Sequence, residues 1–179
     1  MNIFSLPLIT KKTKPGFTVL EFLIVLAIII LLIAILLPNL QKAREKSADE
    51  RRVADLKAVA LGLEQYKQVC GDYPKTITKD ESCPNMSSSS ATLGNFITNI
   101  DSYKFNTASS KYKYFPIAYN NSNPDECNGF HLGVELSSPV SGNVAGGDQN
   151  FNSGDISSKA CNSNTSFDGT DPKVFDMIQ

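Results

Sequence analysis

The pattern of apolar and polar positions begins with one long apolar run. It extends from Phe17 to Leu37, and among its 21 residues only Thr18 and Glu21 are polar. A helix of this length is about 30 Å long at about 1.5 Å per residue, which matches the hydrocarbon core of a bilayer. The run therefore predicts a membrane-spanning helix.

Helical periodicity resumes directly after Pro38 and continues from Asn39 to about Cys70. A proline removes one backbone donor and clashes with the preceding turn, so it marks either the end of the membrane helix or a kink. We favour a kink within one long helix, because the helical pattern continues at once. Gly71 is expected to end the helix, since glycine readily adopts the left-handed conformation found there.

The second half of the helix changes character at Val53. Residues 39–52 carry many charges and no apolar stripe, so we expect them to leave the domain as a solvated face or a subunit contact. From Val53 onward, apolar residues recur every three or four positions, which predicts one face packed on the domain. These residues are Val53, Leu56, Val59, Ala60, Leu63 and Tyr66.

Segments rich in strand-forming residues follow the helix. Residues 112–119 are mostly aromatic or strand-forming, and Pro116 interrupts them. Residues 130–136 alternate strictly between apolar and other residues. The residues between them, 120–128, are rich in turn formers and predict a hairpin-like pair. The predicted strands are 112–115, 117–119, 130–136 and 173–178.

Two other segments complete the expected domain. Apolar residues at helical spacing predict a short helix over about 91–101. Residues 138–172 are rich in Gly, Asn, Ser and Asp and lose all periodicity, which predicts a long loop. We therefore expect an α+β protein, in which the second half of a long N-terminal helix packs on a small antiparallel sheet.

Charge argues against nucleic acid as a partner. The net charge of the 179 residues is −1, and without the first 16 residues and their three lysines it is −4. This leaves no basic footprint for nucleic acid. A weak patch of Lys104, Lys111, Tyr112, Lys113 and Tyr114 is better explained as a strand with solvated lysines, so DNA is not an expected partner.

Four cysteines, all beyond the apolar run, indicate an oxidising exterior. They contain no C-x-x-C pair, and we favour disulfides over a zinc site in such a compartment. Four cysteines allow three pairings. We favour Cys70–Cys83 with Cys127–Cys161, because each bridge then holds one irregular segment, the helix end in one case and the long loop in the other.

The sequence gives no pattern for catalysis. It contains no nucleophile motif, phosphate-binding loop or zinc spacing. The single histidine, His131, takes a polar position in the alternating strand, which predicts a surface residue rather than a catalytic base. The alternative to a structural protein is an enzyme or binding domain that a signal anchor holds outside the cell.

The start of the apolar run also carries a processing signature. Three lysines between residues 11 and 14 precede Pro15-Gly16, Phe17 follows, and Glu21 comes four residues later. This order resembles the cleavage site of type IV prepilins and type II secretion pseudopilins. A plain signal anchor would account for the lysines and the apolar run through the positive-inside rule, but not for the glutamate.

The resemblance implies that a prepilin peptidase cuts after Gly16 and methylates the new N-terminal Phe17. Residues 1–16 are then a leader, 17–38 a transmembrane and assembly segment, and 39–179 an extracytoplasmic pilin-like domain. The implied function is a structural subunit of a membrane-rooted helical filament, either a type II secretion pseudopilus or a type IV pilus. The lysines place the leader in the cytoplasm and the domain outside the cytoplasmic membrane.

The resemblance also implies roles for two residues of the helix. Glu21, fifth in the mature chain, is expected to attract the N-terminal amine of a neighbouring subunit, and a low-dielectric surround strengthens that attraction. The simpler alternative is a glutamate close enough to the interface to stay hydrated. Pro38, the twenty-second mature residue, is expected to let the helix bend during packing.

The implied partners follow from assembly. They are further copies of the chain, minor pilins or pseudopilins, the prepilin peptidase, an inner-membrane assembly platform, and lipid before assembly. After assembly, the resemblance implies an extracytoplasmic or cell-surface filament.

The stretch from Leu63 to Pro74 resembles the helix exit of the major, G-type pseudopilins and of some pilins, where a tyrosine-rich helix end meets a Gly-x-Tyr-Pro turn. The G-type pseudopilins carry a calcium site in a loop between their last strands, and residues 138–172 are similarly placed. The ligands do not align residue by residue, and aspartates in such a loop also serve as turn formers. The candidate calcium ligands are Asp148, Asp155, Asp168 and Asp171, with the first two favoured.

Overall fold

The computed structural model of the protein describes residues 16–83, 91–119, 126–140, 147–161 and 166–179. Contacts divide the chain into two compact units, one ending at Lys42 and the other beginning at Ala43. The predicted turn at 120–128 lies largely outside the described residues.

Helix α1 runs from Val19 to Cys70 as one helix of 52 residues with Pro38 inside it. The prediction of one long helix is confirmed. Next to the proline, the side chain of Asn39 donates to the carbonyl of Ile35 at 3.3 Å. Gly71 ends the helix with φ of 90°, and its N–H donates to Lys67 O at 2.8 Å.

Three strands form one antiparallel sheet in the order β1-β2-β3, as the α+β prediction requires. Strand β1 is Tyr112–Ile117, β2 is Gly129–Glu135 and β3 is Val174–Ile178. Leu132 lies at the centre of the register and pairs with Tyr114 on one side and Met177 on the other.

Pro116 lies within β1, so the predicted interruption there is wrong. The strand tolerates the proline because β1 is at the edge of the sheet. The carbonyl of Pro116 accepts the N–H of Cys161, a residue outside the sheet, at 3.1 Å. The nitrogen of Pro116 points to the same outer side, where β2 needs no donor.

The residues after the first disulfide loop form two single-turn helices, α2 (Leu93–Phe96) and α3 (Ile100–Tyr103), instead of the one predicted helix. Asn99, between them, has a left-handed backbone with φ of 58°. The apolar residues keep their helical spacing, and Leu93, Ile97 and Ile100 are all buried. At this break, the side chains on both sides still face the core.

The core of the second unit lies between α1 and the inner face of the sheet. The apolar stripe predicted on α1 is buried in it, as are Leu132 and Phe175 from the sheet. The predicted exit of residues 39–52 from the domain is wrong at one position, because Asp49 is 4% exposed. Its carboxylate accepts the N–H groups of Ser137 and Ser138, just after β2.

The outer face of the sheet is covered as well. Strand β2 is buried from Gly129 to Val134, although its alternating sequence predicts one solvated face. The covering residues belong to the predicted loop 138–172, which contains a 3₁₀ helix, Ser153–Lys159. The prediction that His131 lies on the surface is therefore wrong, since its exposed fraction is 0%.

Loop residues also close both edges of the sheet. On β1, the side chain of Asn106 accepts from Tyr114 N at 2.9 Å and donates to Tyr114 O at 2.8 Å. On β3, Asp148 accepts from Asp176 N at 3.1 Å, and Gln149 N donates to Asp176 O at 3.3 Å. Side chains and loop backbone thus take the place of neighbouring strands.

Candidate functional site

The predicted cleavage site lies just before α1. Gly16 and Phe17 are exposed and non-helical, and Phe17 keeps 70% of its surface accessible. A peptidase can reach a bond in this conformation without first unwinding a helix. The leader, residues 1–15, lies outside the described part of the chain.

Glu21 lies in the first turn of α1, where the partial positive charge at a helix N-terminus favours a carboxylate. Its N–H donates to the hydroxyl of Thr18 at 3.2 Å. Thr18 and Glu21 thus have the spacing of a capping box, a signal that sequence reasoning missed. Glu21 is exposed within the structure of the single chain, so its side chain is open to a partner.

The first half of α1 is long and apolar enough to cross a membrane, and none of its most apolar stretch is buried by the rest of the protein. Soluble proteins bury such a surface, so this one requires either lipid or other protein to cover it. Apart from Glu21, the charged residues of α1 begin only after Pro38.

The end of α1 is held by the Cys70–Cys83 disulfide and by tyrosines. Tyr66 donates its hydroxyl to Ser82 O at 2.8 Å, and burial raises the pKa of Tyr66 to about 12. Tyr73 donates to Glu64 Oε1 at 2.7 Å, and burial, together with this carboxylate, raises the pKa of Tyr73. The Gly-x-Tyr-Pro turn is therefore tied back onto the helix that precedes it.

The second disulfide, Cys127–Cys161, joins the start of the β2 region to the long loop. The structure thus contains the pairing that the sequence favoured. Cys127 also accepts the N–H of Tyr73 at 2.8 Å, which connects the helix exit to the same point. Both irregular segments are fastened next to the sheet.

A buried histidine–aspartate pair holds the loop on the outer face. Asp176 Oδ2 lies 2.9 Å from His131 Nε2, and neither side chain is exposed. The same carboxylate accepts the N–H groups of Asn150 at 2.7 Å and Phe151 at 2.9 Å. Phe167 stacks on the imidazole with the ring centroids 3.9 Å apart.

Close packing around Asp176 depends on one glycine. A Cβ atom on Gly169 would lie 2.6 Å from Asp176 Oδ2 and 2.4 Å from Phe151 O, so a larger residue does not fit. Among the described residues, Nδ1 of His131 has no hydrogen-bond partner. The pair holds the loop through the N–H groups of Asn150 and Phe151.

The four predicted calcium ligands do not come together. Within the described ranges, no three side chains of the metal-binding types form a cluster. Asp168 accepts from Thr170 N and Asp171 from Lys173 N, at 2.9 and 2.8 Å, so both serve as turn caps. Asp155 lies exposed in the 3₁₀ helix and shows no hydrogen bond to its carboxylate from any described residue.

Asp148 lies beside a second carboxylate, that of Asp176, whose charge also acts on Asp168. Burial and the neighbouring Asp176 raise the pKa of Asp148, although the N–H of Asp176 opposes them. Burial alone would raise the pKa of Asp176 too, but hydrogen bonds from His131 and from Phe151 N–H reverse this and lower it. The two neighbouring carboxyls thus differ in their affinity for a proton.

Two buried carboxylates, Asp49 and Asp176, were missed from the sequence. Asp49 looked like one charge among many, and Asp176 alternates with apolar neighbours as any edge-strand residue does. Both are buried by segments far away in sequence, so local periodicity contains no signal for them. In the weak basic and aromatic patch, Tyr114 is buried.

Comparison with known proteins finds relatives for part of the chain. It is 35% identical to the type II secretion system core protein G of Aeromonas hydrophila over 66 residues, 37% of this chain and 46% of that protein. The proteins of the same name from Escherichia coli K12 and Vibrio cholerae are 38% identical over 67 residues and 34% identical over 65. These stretches cover 37% and 36% of this chain, and 46% and 44% of the relatives.

The chain thus spans less than half the length of the curated relatives that it matches. No protein-family model matches it. No solved structure matches it either.

The chain has a long N-terminal helix with an apolar first half, followed by a small antiparallel sheet. This is the layout of a pilin-like protein. Within this class, the chain resembles the major, G-type pseudopilins of type II secretion, and its similarity is to proteins named as core protein G of that system.

Proposed function

We propose that the protein is a structural subunit of a type II secretion pseudopilus. The observation that carries this proposal is the similarity to core protein G in a chain whose apolar helix is left uncovered by the rest of the structure. An uncovered apolar helix needs many partners of the same kind or lipid, and a helical filament provides the first. This is a structural role, and we do not propose an enzymatic one.

The proposal includes processing. Residues 1–16 are the leader, and a prepilin peptidase cuts between Gly16 and Phe17 and methylates the new amine. The exposed, non-helical backbone at the site supports this. The remaining chain then has its transmembrane and assembly segment at 17–38 and its extracytoplasmic domain at 39–179, anchored in the cytoplasmic membrane until assembly.

Within the filament, Glu21 binds the N-terminal amine of a neighbouring copy and Pro38 lets the helix bend. The exposure of Glu21 in the single chain supports its availability. The proposed partners are other copies, minor pseudopilins, the prepilin peptidase and the inner-membrane assembly platform. A type IV pilus is the second candidate, because the same leader signature precedes both kinds of subunit.

Calcium binding is a further part of the proposal. Its support is the pair of carboxyls at Asp148 and Asp176, whose mutual repulsion a divalent cation would reduce, together with the exposed carboxylate of Asp155. Asp168 and Asp171 remain candidates, although both already cap turns. Calcium would supply an ordering charge for a loop that is rich in Gly, Asn and Ser.

The experiment that tests the main proposal is expression of the full chain with and without a prepilin peptidase. We expect mass spectrometry to find a mature chain that begins with methylated Phe17 only when the peptidase is present. Gly16→Val should leave the leader uncut, because a branched side chain crowds the scissile bond, while Ser5→Ala in the leader should be cut normally. An intact leader in the wild type, or a cut beyond residue 30, would contradict the proposal.

A further inference from the structure

One carboxylate in the charged part of α1 does not face solvent. Asp49 is buried, whereas Glu50, the next residue, is exposed. Asp49 Oδ1 accepts the N–H of Ser137 at 3.0 Å, and Oδ2 accepts that of Ser138 at 3.2 Å. Both oxygens therefore bind the backbone at the point where the chain leaves β2.

Arg52 completes this contact. Its Nη1 forms an ion pair with Asp49 and donates to the hydroxyl of Ser137 at 3.2 Å. The carboxylate thus has donors on both oxygens, which offsets the cost of removing its charge from water. A site with this many matched donors is directional, and a shift of the helix by one residue would break it.

The rest of the described contact between α1 and the sheet is mainly apolar, although Tyr112 OH donates to Asp55 Oδ2 at 3.4 Å and Lys57 lies over the ring of Phe175. Hydrophobic contact is not directional, so a stripe such as Val53, Leu56 and Leu63 resists separation more than it resists small rotations or shifts along the helix axis. Asp49 is the first residue of α1 that the second unit buries. It therefore acts where the helix leaves the sheet.

We propose that Asp49 is a positioning residue for filament assembly, which fixes the rotation and axial register of α1 on the sheet at the end of β2. The inference rests on the proposed function, in which residues 17–38 assemble the filament. The register of α1 on the sheet decides which side chains of its second half stay exposed to neighbouring subunits.

The first test measures the register directly in full-length protein in detergent, with both disulfides oxidised. Spin labels are attached at two introduced cysteines. One is Ser47→Cys, at an exposed position of α1, and the other is Lys173→Cys, directly before β3. We expect one narrow distance distribution for this labelled background and for the control Glu50→Ala, which removes the same charge one residue away. Asp49→Ala should broaden it, and Asp49→Asn, which keeps one acceptor oxygen, should broaden it less.

The second test counts filaments at matched levels of folded, membrane-inserted protein. We expect at least a fivefold loss for Asp49→Ala and wild-type yield for Glu50→Ala. A residue that only adds stability would lower the folded fraction and leave the distance distribution of the folded molecules unchanged. If Asp49→Ala does not fold, Asp49→Asn and Arg52→Ala take its place in both tests.

An unchanged distribution in the Asp49 variants would overturn the inference. The two proposals fail differently. A wild-type chain that forms no filament contradicts the proposed function, whereas the distance measurement still decides whether Asp49 sets the register.

Discussion

Three carboxylates of this protein lie in three different environments. Glu21 is exposed on an apolar helix, Asp176 is fully buried beside a histidine, and Asp155 lies exposed on a loop. The first has its charge available for a partner, the second uses it inside the fold, and the third is open to solvent or a cation.

At Glu21, we predict that Glu21→Ala weakens filament formation without changing the thermal melting of the chain. The reason is that its proposed partner, the amine of Phe17, belongs to another subunit. Filament yield and melting in detergent are measured together, with Glu45→Ala, an exposed carboxylate further along α1, as the control. Normal filament yield from Glu21→Ala would remove this residue from the assembly mechanism.

At Asp176, we predict that Asp176→Ala lowers the free energy of unfolding by about 3 kcal/mol, since the N–H groups of Asn150 and Phe151 and the ring of His131 all lose their acceptor. Urea unfolding in chelator measures this. Asp155→Ala is the control and should change the free energy by less than about 0.5 kcal/mol. Equal changes in the two variants would show that the buried carboxylate contributes no more to the free energy of unfolding than the exposed one does.

At the scale of elements, the two disulfides close loops of different length. Cys127–Cys161 spans 34 residues and Cys70–Cys83 spans 13. We assume that each bridge acts mainly by restricting the unfolded chain. Replacing Cys127 and Cys161 by serine should then lower the free energy of unfolding by about 4 kcal/mol, and replacing Cys70 and Cys83 by about 3 kcal/mol. Urea unfolding of the two double variants decides this, and the reverse order would indicate that native contacts at the helix exit matter more than loop length.

The elements also show what a sequence can predict. Helix α1 and strands β2 and β3 were predictable because burial of a helix or strand face repeats with the period of the backbone. The burial of His131 was not, because the covering residues Phe151 and Phe167 come from a loop without periodicity. The break in the helix at Asn99 was not predictable for another reason. The apolar residues on both sides of it keep helical spacing in the sequence.

The candidate site divides in the same way. Gly16, Phe17 and Glu21 were found from a motif, which depends only on neighbours along the chain. Asp49 and Asp176 are defined by contacts with residues 88 and 25 positions away, and only the fold brings these together. Long-range polar contacts of this kind leave no local pattern.

For the whole molecule, we predict that calcium raises the melting temperature of the full chain relative to chelator. When calcium is in hundredfold excess over its Kd and binds only the native state, it raises the free energy of unfolding by about 2.7 kcal/mol. This corresponds to a rise in melting temperature of about 5–10 °C for a domain of this size. Asp148→Ala should remove most of the difference, and magnesium should substitute poorly because it requires near-octahedral geometry. Glu126→Ala, outside the loop, is the matched control.

Equal melting with calcium and chelator would leave these aspartates as turn formers. The disulfides must stay oxidised in this comparison, because Cys161 lies in the same loop and its bridge to Cys127 restrains the loop. The filament proposal would survive that result, since it depends on the N-terminal helix.

The closed edges of the sheet have a consequence for crowding. In a filament, identical domains lie beside one another at very high local concentration. Under this condition, open sheet edges can pair and form amyloid-like aggregates. Here Asn106 occupies the edge of β1, and Asp148 with Gln149 occupies the edge of β3. Identical domains can therefore be packed side by side without their sheets merging, so that a filament held together by helices can still come apart into separate subunits.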